Sequence, residues 1–325
     1  MSAGADLGRR LRDGDLAAAP AVLNLVESRR KADDVADLLR EVSPAVLGAE
    51  PAGHLIGVTG PPGAGKSSLL SALVRTWRGD GRTVAVLAVD PSSKRSGGSL
   101  LGDRARIEFD PEDRGVLIRS TAAGGRLGGL APATRAAAQA LSCAYDVVVI
   151  ETVGVGQSET AVAGMVDHFL LLMLARAGDS LQGIKRGVLE LADVIAVNKA
   201  DGEHVREARA AARELADVMR MLQPHGATWT PPVLTCSAIE DRGVAEVWDA
   251  IGEHRAALEA AGDLAARRAE QEVAWLRRMV RDGLEARLTD DPAVAAVVAE
   301  QEALVRQGAT TAALAAGRIL ESLRD

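Results

Sequence analysis

Between residues 55 and about 260, short apolar runs alternate with longer stretches of helical character. The runs are Leu55–Thr59, Thr83–Asp90, Val116–Arg119, Val147–Ile150, His168–Leu174, Val194–Asn198 and Val233–Ser237. Read as strands, with helices or long loops between them, they spell out βαβ units and a mostly parallel sheet. Residues 1–50 carry Leu and Val at helical intervals in "GDLAAAPAVLNLVES" and "ADDVADLLREV", ahead of breaks at Pro44 and Pro51. From 263 onward the pattern is helix only. Val273, Leu276, Val280, Leu284 and Leu288 share one helical face; Asp291 and Pro292 open a further helix that Gly308 ends, and "TTAALAAGRILESLRD" supplies a last one. The chain therefore divides into an N-terminal helical extension (1–50), an α/β domain (51–262) and a C-terminal helical arm (263–325).

Composition narrows the class. Of the 325 residues, 47% are hydrophobic and 2% aromatic, so a sizeable core is built from Ala, Val and Leu. A net charge of −7 argues against nucleic-acid binding carried by bulk charge, and Arg29-Arg30-Lys31 reads as a solvated helix face. Cys143 and Cys236 lie far apart and form no metal-ligand spacing, so both read as buried, inert thiols. The first residues contain no apolar run of signal-peptide length, and Phe169–Ala175 is far short of a membrane span. The expectation is a cytoplasmic protein with no membrane and no nucleic-acid partner.

Chemistry enters at the ends of the strands. "GPPGAGKSS" places Gly60, Pro61, Pro62, Gly63, Ala64, Gly65, Lys66, Ser67 and Ser68 between a strand and a helix, the context that a phosphate loop requires. Its backbone N–H groups wrap phosphate oxygens, Lys66 reaches the β- and γ-phosphates, and Ser67 offers a hydroxyl to Mg²⁺. "NKAD" follows a later strand: Asn198, Lys199 and Asp201 match the guanine-reading slot of GTPases, where the Asp carboxylate accepts from guanine N1–H and its exocyclic amine. Ser237, Ala238 and Ile239 of "CSAI" match the element whose backbone contacts the guanine oxygen. Three carboxylates lie near the same edge. Asp90 ends the second strand, and Glu151 ends the fourth; Asp103, in a Gly-rich loop, reads equally as a magnesium residue or a turn former. Small GTPases have Asp-x-x-Gly at the fourth strand's end, where this chain has Glu151-Thr152-Val153-Gly154. The substitution marks a distinct branch.

Together "GPPGAGKSS", "AVLAVDPSS", "GGSLLGDRARI", "ETVGVGQSE", "GDSLQGIKRG" and "NKADG" resemble the MeaB/ArgK/MMAA family, over roughly residues 15–325. That resemblance implies a phosphate-loop GTPase domain with a mostly parallel sheet, an N-terminal helical extension and a C-terminal helical dimerisation arm. It implies GTP/GDP and Mg²⁺ as ligands, and an adenosylcobalamin-dependent acyl-CoA mutase, chiefly methylmalonyl-CoA mutase, as the partner. The family gates cofactor loading and protects the mutase. Carried over, Lys66 and Ser67 hold phosphates and metal; Asp90, Asp103 and Glu151 serve the metal; Gly154 and Gln157 lie in the second switch. Asp179 and Lys185 fall in an additional switch that relays nucleotide state to the mutase. Gln157 reads as a water-orienting residue or as a plain loop residue. Departures are Lys-Ser-Ser for Lys-Ser-Thr, "GDRARI" for Gly-Asp-Lys-Thr-Arg, and a missing proline in "LARAGDS". Two other readings remain: a GTP-dependent nickel-insertion chaperone, which five scattered histidines and two distant cysteines disfavour, and an ArgK-type transport-associated kinase. The apolar faces after 263 predict a homodimer, with packing back on the chain's own domain as the plain alternative.

Overall fold

The structure, a computed structural model, describes residues 2–28, 31–49, 51–90, 107–122, 132–152, 157–175, 186–222 and 228–323. It divides into two compact units, 1–265 and 266–325.

All seven runs are strands: β1 His54–Thr59, β2 Val84–Asp90, β3 Val116–Ala122, β4 Val147–Thr152, β5 His168–Leu174, β6 Val194–Asn198 and β7 Val233–Thr235. They form one sheet in the order β3-β2-β4-β1-β5-β6-β7, every pairing parallel. The chain fills the sheet to one side of β1 before β5, β6 and β7 extend it on the other. The order thus reverses beside β1, the crevice where open α/β sheets bind ligands outside their carboxyl ends.

Thirteen helices are described: α1 Ala3–Arg12, α2 Ala19–Val26, α3 Ala32–Glu41, α4 Pro44–Leu47, α5 Lys66–Gly79, α6 Pro132–Leu141, α7 Gln157–Ala163, α8 Arg186–Leu189, α9 Val205–Leu222, α10 Val244–Ala261, α11 Asp263–Asp290, α12 Pro292–Arg306 and α13 Ala312–Ser322. Alternation along the strands sorts them into layers. Val147 and Val149 of β4 and Leu170 and Leu172 of β5 join the cluster under α5 and α10. Val148, Ile150 and Phe169 join the opposite cluster, which α1, α2, α3, α6 and α7 complete. Leu171, Met173, Ile195 and Val197 meet α9 on that same face.

The N-terminal helices are a structural part of unit 1. Leu11, Val22, Leu23 and Leu38 are fully buried there, each contributing about 1.5–3 kcal/mol over an exposed position. Arg119 of β3 reaches back to Asn24 and Glu27 at 2.9 and 2.7 Å. In unit 2, Asp291 caps α12 through Ala293 N–H, and Pro292 fills its first turn. Val273, Leu276, Val280 and Leu284 are exposed along α11.

Candidate nucleotide site

The phosphate loop springs from β1. Gly60 has φ 153°, and a Cβ there would stand 2.3 Å from the Leu172 carbonyl of β5, so only glycine lets the chain leave the sheet so close to its neighbour. Gly65 caps α5 at φ 86°, with a hypothetical Cβ 2.6 Å from Asn198 Nδ2. Lys66 begins the helix, buried, and its Nζ donates to the carbonyls of Gly60 at 2.8 Å and Pro61 at 3.3 Å. The loop is therefore curled round its own ammonium group. Pro62, Gly63 and Ser68 are exposed at the rim, whereas Ala64 is buried.

Ser67 follows in the first turn, where its Oγ lies 3.4 Å from Glu151 Oε1. Glu151 shares the strand face of Val147 and Val149 and so points towards α5, with only 6% of its surface exposed. A hydroxyl and a carboxylate converging at a helix N-terminus fit a hard cation that takes few protein oxygens and keeps water and phosphate oxygens for the rest. Among the described residues no group of three His, Cys, Asp or Glu could hold a metal unaided. Asp90 ends β2 in register with Ala122, and Gln157 opens α7; their side chains lie outside the described residues. Asp103, Gly154, Asp179 and Lys185 lie outside them altogether.

The base-reading residues are held by hydrogen bonds that cross the chain. Asn198 ends β6 with 2% exposure. Its Nδ2 donates to the Ala64 carbonyl at 2.9 Å, and its Oδ1 accepts from Ala238 N–H at 3.2 Å. One amide thus ties the phosphate loop to the loop after β7. Lys199 takes φ 60°, uncommon for a side chain of this kind, and its Cε lies 3.9 Å from the Gly65 Cβ position, so its stem passes over the phosphate loop. Asp201 Oδ2 accepts from Ser237 Oγ at 2.7 Å, which orients the carboxylate. Ile239 is 79% exposed at the outer end of that loop.

The sequence reading passed over several participants. Thr152 Oγ1 donates to Thr59 Oγ1 at 2.8 Å, both buried, joining the strand ends that carry Glu151 and the phosphate loop. Cys236 approaches Asn198 Oδ1 at 3.6 Å, and burial pushes its thiol up to about 12. Cys143 is half-buried rather than enclosed, and burial raises it to about 11. A cavity of about 240 Å³ opens beside Asn198 and Lys199, lined also by Leu174, Ala175 and His204. Thr152 had a signal inside the quoted "ETVGVGQSE", and Cys236 opens the quoted "CSAI".

Known proteins resemble this chain throughout. A family model described as "Methylmalonyl Co-A mutase-associated GTPase MeaB" matches residues 19–293. A probable GTPase of Mycobacterium tuberculosis is 50% identical over 316 residues, 97% of this chain and 94% of that protein. The mouse mitochondrial protein named methylmalonic aciduria type A homolog is 38% identical over 273 residues, 83% of this chain and 65% of its own. The crystal structure of a LAO/AO transport system kinase superposes with a TM-score of 0.75 at 34% identity, covering 99% of this chain and 98% of that one.

Proposed function

Since the chain belongs to the family of methylmalonyl-CoA mutase-associated GTPases described as MeaB, we propose that it is the GTP-driven chaperone of an adenosylcobalamin-dependent acyl-CoA mutase, methylmalonyl-CoA mutase first among them. It is a GTPase, as its relatives are named. The observation that carries the nucleotide reading is the Asn198 staple: one buried amide holds the phosphate loop and the base loop in fixed relation, with Asp201 braced beside it.

On this reading Lys66 gives up the Gly60 and Pro61 carbonyls for the β- and γ-phosphate oxygens. The amides of the loop and the first turn of α5 supply further donors. Asp201 accepts from guanine N1–H and its amine, while Lys199 lies along the base. Ser67 and Glu151 hold Mg²⁺, aided by Asp90 and Asp103. Magnesium, when bound, neutralises charge that develops on the β- and γ-phosphate oxygens. Gln157 orients the attacking water, and cleavage of GTP to GDP and phosphate releases segments ordered by the γ-phosphate. Gly154, Asp179 and Lys185 belong to those segments and relay the change to the mutase, gating cofactor loading and protecting the enzyme.

The exposed face of Val273, Leu276, Val280 and Leu284 supports a homodimer through the C-terminal arm. A monomeric mass by light scattering, unchanged on deleting 264–325, would remove that part.

The deciding experiment is GTP hydrolysis by the purified protein, alone and with a panel of adenosylcobalamin-dependent mutases, beside Lys66→Ala. Stimulation by one mutase, lost in the variant, supports the chaperone reading and identifies the partner. Turnover that no mutase alters withdraws it. The name of the 34%-identical kinase favours a second reading, phosphoryl transfer to an acceptor. γ-labelled GTP separates the two: labelled acceptor in place of free phosphate would establish transfer.

A further inference from the structure

Beneath the opposite, amino ends of the strands, six rings form an unbroken chain. Centroid distances run Trp77–Trp248 5.5 Å, Trp248–His54 5.0 Å, His54–His168 5.6 Å, His168–His254 5.0 Å and His254–Trp229 5.0 Å. The chain has four Trp and five His, so three of each gather at one place that takes no part in nucleotide chemistry.

At its centre, His168 Nδ1 and His254 Nδ1 lie 2.9 Å apart, with the two residues 0% and 1% exposed. His168 starts β5, and His254 lies in α10. His254 Nε2 stands 3.5 Å from Asp193 Oδ1. The other oxygen of Asp193 accepts the Phe169 N–H at 2.8 Å, and its backbone carbonyl accepts Trp229 Nε1–H at 2.8 Å. Among the described residues, further charges near the rings are Asp167, which accepts from Leu55 N–H at 3.2 Å, Arg82 over Trp248 at 5.3 Å, and Arg255 with Glu259 of α10 beside His54.

Protons can be counted on this geometry. A contact of 2.9 Å between two ring nitrogens is a hydrogen bond and holds one proton. With both rings neutral, His168 Nδ1–H donates to His254 Nδ1, and His254 Nε2–H faces Asp193. One added proton leaves the contact intact, and Asp193 offsets its charge. A second would set two N–H groups head to head at 2.9 Å, and the contact must open.

We propose that His168 and His254 form a one-proton lock, which keeps α10 seated on the sheet while a single proton lies between the two Nδ1 atoms and releases it when acid protonates both. Helix α10 begins just behind the loop Ser237–Ile239, so opening the lock loosens the base end of the site as well. The closed native pair binds at most one added proton, whereas two histidines of the unfolded chain bind two below a pKa near ~6.5. The stability that the lock gives is complete above that pH and falls as pH drops below it.

The test is denaturant unfolding of the full-length protein from pH 7.5 to pH 5, wild type against the double variant His168→Asn/His254→Gln. The two amides keep a donor and an acceptor at this contact but do not titrate. Below pH 6, the unfolding constant of the wild type is expected to rise more steeply than the variant's, by about tenfold or more per pH unit. His54 is common to both proteins and cancels. Equal slopes overturn the lock. If the variant does not fold, ¹⁵N spectra of the wild-type imidazoles decide the matter. One Nδ1-bound proton for the pair in the native spectrum at pH 5 supports the lock, and two overturn it.

Discussion

Replacing Asp201 with Asn tests the base reading most directly. The carboxylate would accept two hydrogen bonds from guanine, one from N1–H and one from the exocyclic amine, while Ser237 Oγ holds its Oδ2 from behind at 2.7 Å. An asparagine keeps one acceptor and presents an NH₂ where the second stood. One charge-assisted bond becomes neutral, and the other becomes donor against donor. Bonds to charged groups are worth about 1.5–3 kcal/mol each, so a loss of ~3 kcal/mol is expected, close to a hundredfold in GDP and GTP affinity. Ser237 can donate to the asparagine oxygen, so the fold should keep its unfolding midpoint. Adenine nucleotides do not use the carboxylate and should bind as weakly as before. Xanthine carries a carbonyl where guanine has its amine and should gain affinity. Equilibrium titration with fluorescent GTP, ATP and XTP analogues measures all three. Unchanged GTP affinity, or an equal loss for ATP, would refute the assignment of Asp201.

Three further substitutions and conditions probe the surroundings. Gly65→Ala forces a φ of 86° on a side chain whose Cβ stands 2.6 Å from Asn198 Nδ2; stability should fall by about 1–3 kcal/mol, with nucleotide binding lost alongside, as thermal unfolding with and without GDP will show. Thr152→Val removes the 2.8 Å bond to Thr59 between the strand ends that carry the metal carboxylate and the phosphate loop. It should cost about 1–2 kcal/mol and raise the Mg²⁺ concentration for half-maximal GDP retention; Thr152→Ser should restore both, and an unmoved Mg²⁺ dependence would confine the pair to structure. Burial, and then the charges of Arg255 and Arg82, hold His54 down at about 4. A depressed histidine favours the native state above the unfolded pKa of ~6.5 and loses that advantage as pH falls towards 4, at most about 3 kcal/mol, so His54→Asn should flatten the pH dependence of denaturant unfolding across that window.

The sequence discloses the local part of this architecture and conceals the part made by register. The inner strands were legible because their runs are largely apolar, as a strand covered on both faces must be, and because Thr59, Asp90, Glu151 and Asn198 stand at their carboxyl ends. The phosphate loop was legible for the same reason: its glycines, lysine and serine act within one turn of chain. The N-terminal helices showed apolar periodicity, yet nothing in it says that Leu11, Leu23 and Leu38 would share a cluster with Ala137, Leu141 and Val148.

The hidden contacts join residues far apart in the chain. Thr59 and Thr152 are 93 positions apart, Ala64 and Asn198 134, and His168 and His254 86. Parallel strands need long crossovers, so neighbours across the sheet have no period to betray them. A lone histidine at the start of an apolar run reads as an accident of the strand end. It becomes chemistry only when the pairing of β1 with β5, Ile56 against His168, fixes which rings meet. The two ends of the sheet therefore differ in kind. At the carboxyl end, residues that act together are often neighbours in sequence, and a motif can carry them. At the amino end the ring chain draws on β1, α5, β5, α10 and the segment before β7, and of these only α10, with Trp248 and His254, holds two of its rings. A substitution there acts on the register of several elements at once, which is why the lock between His168 and His254 can influence a nucleotide site that neither residue touches.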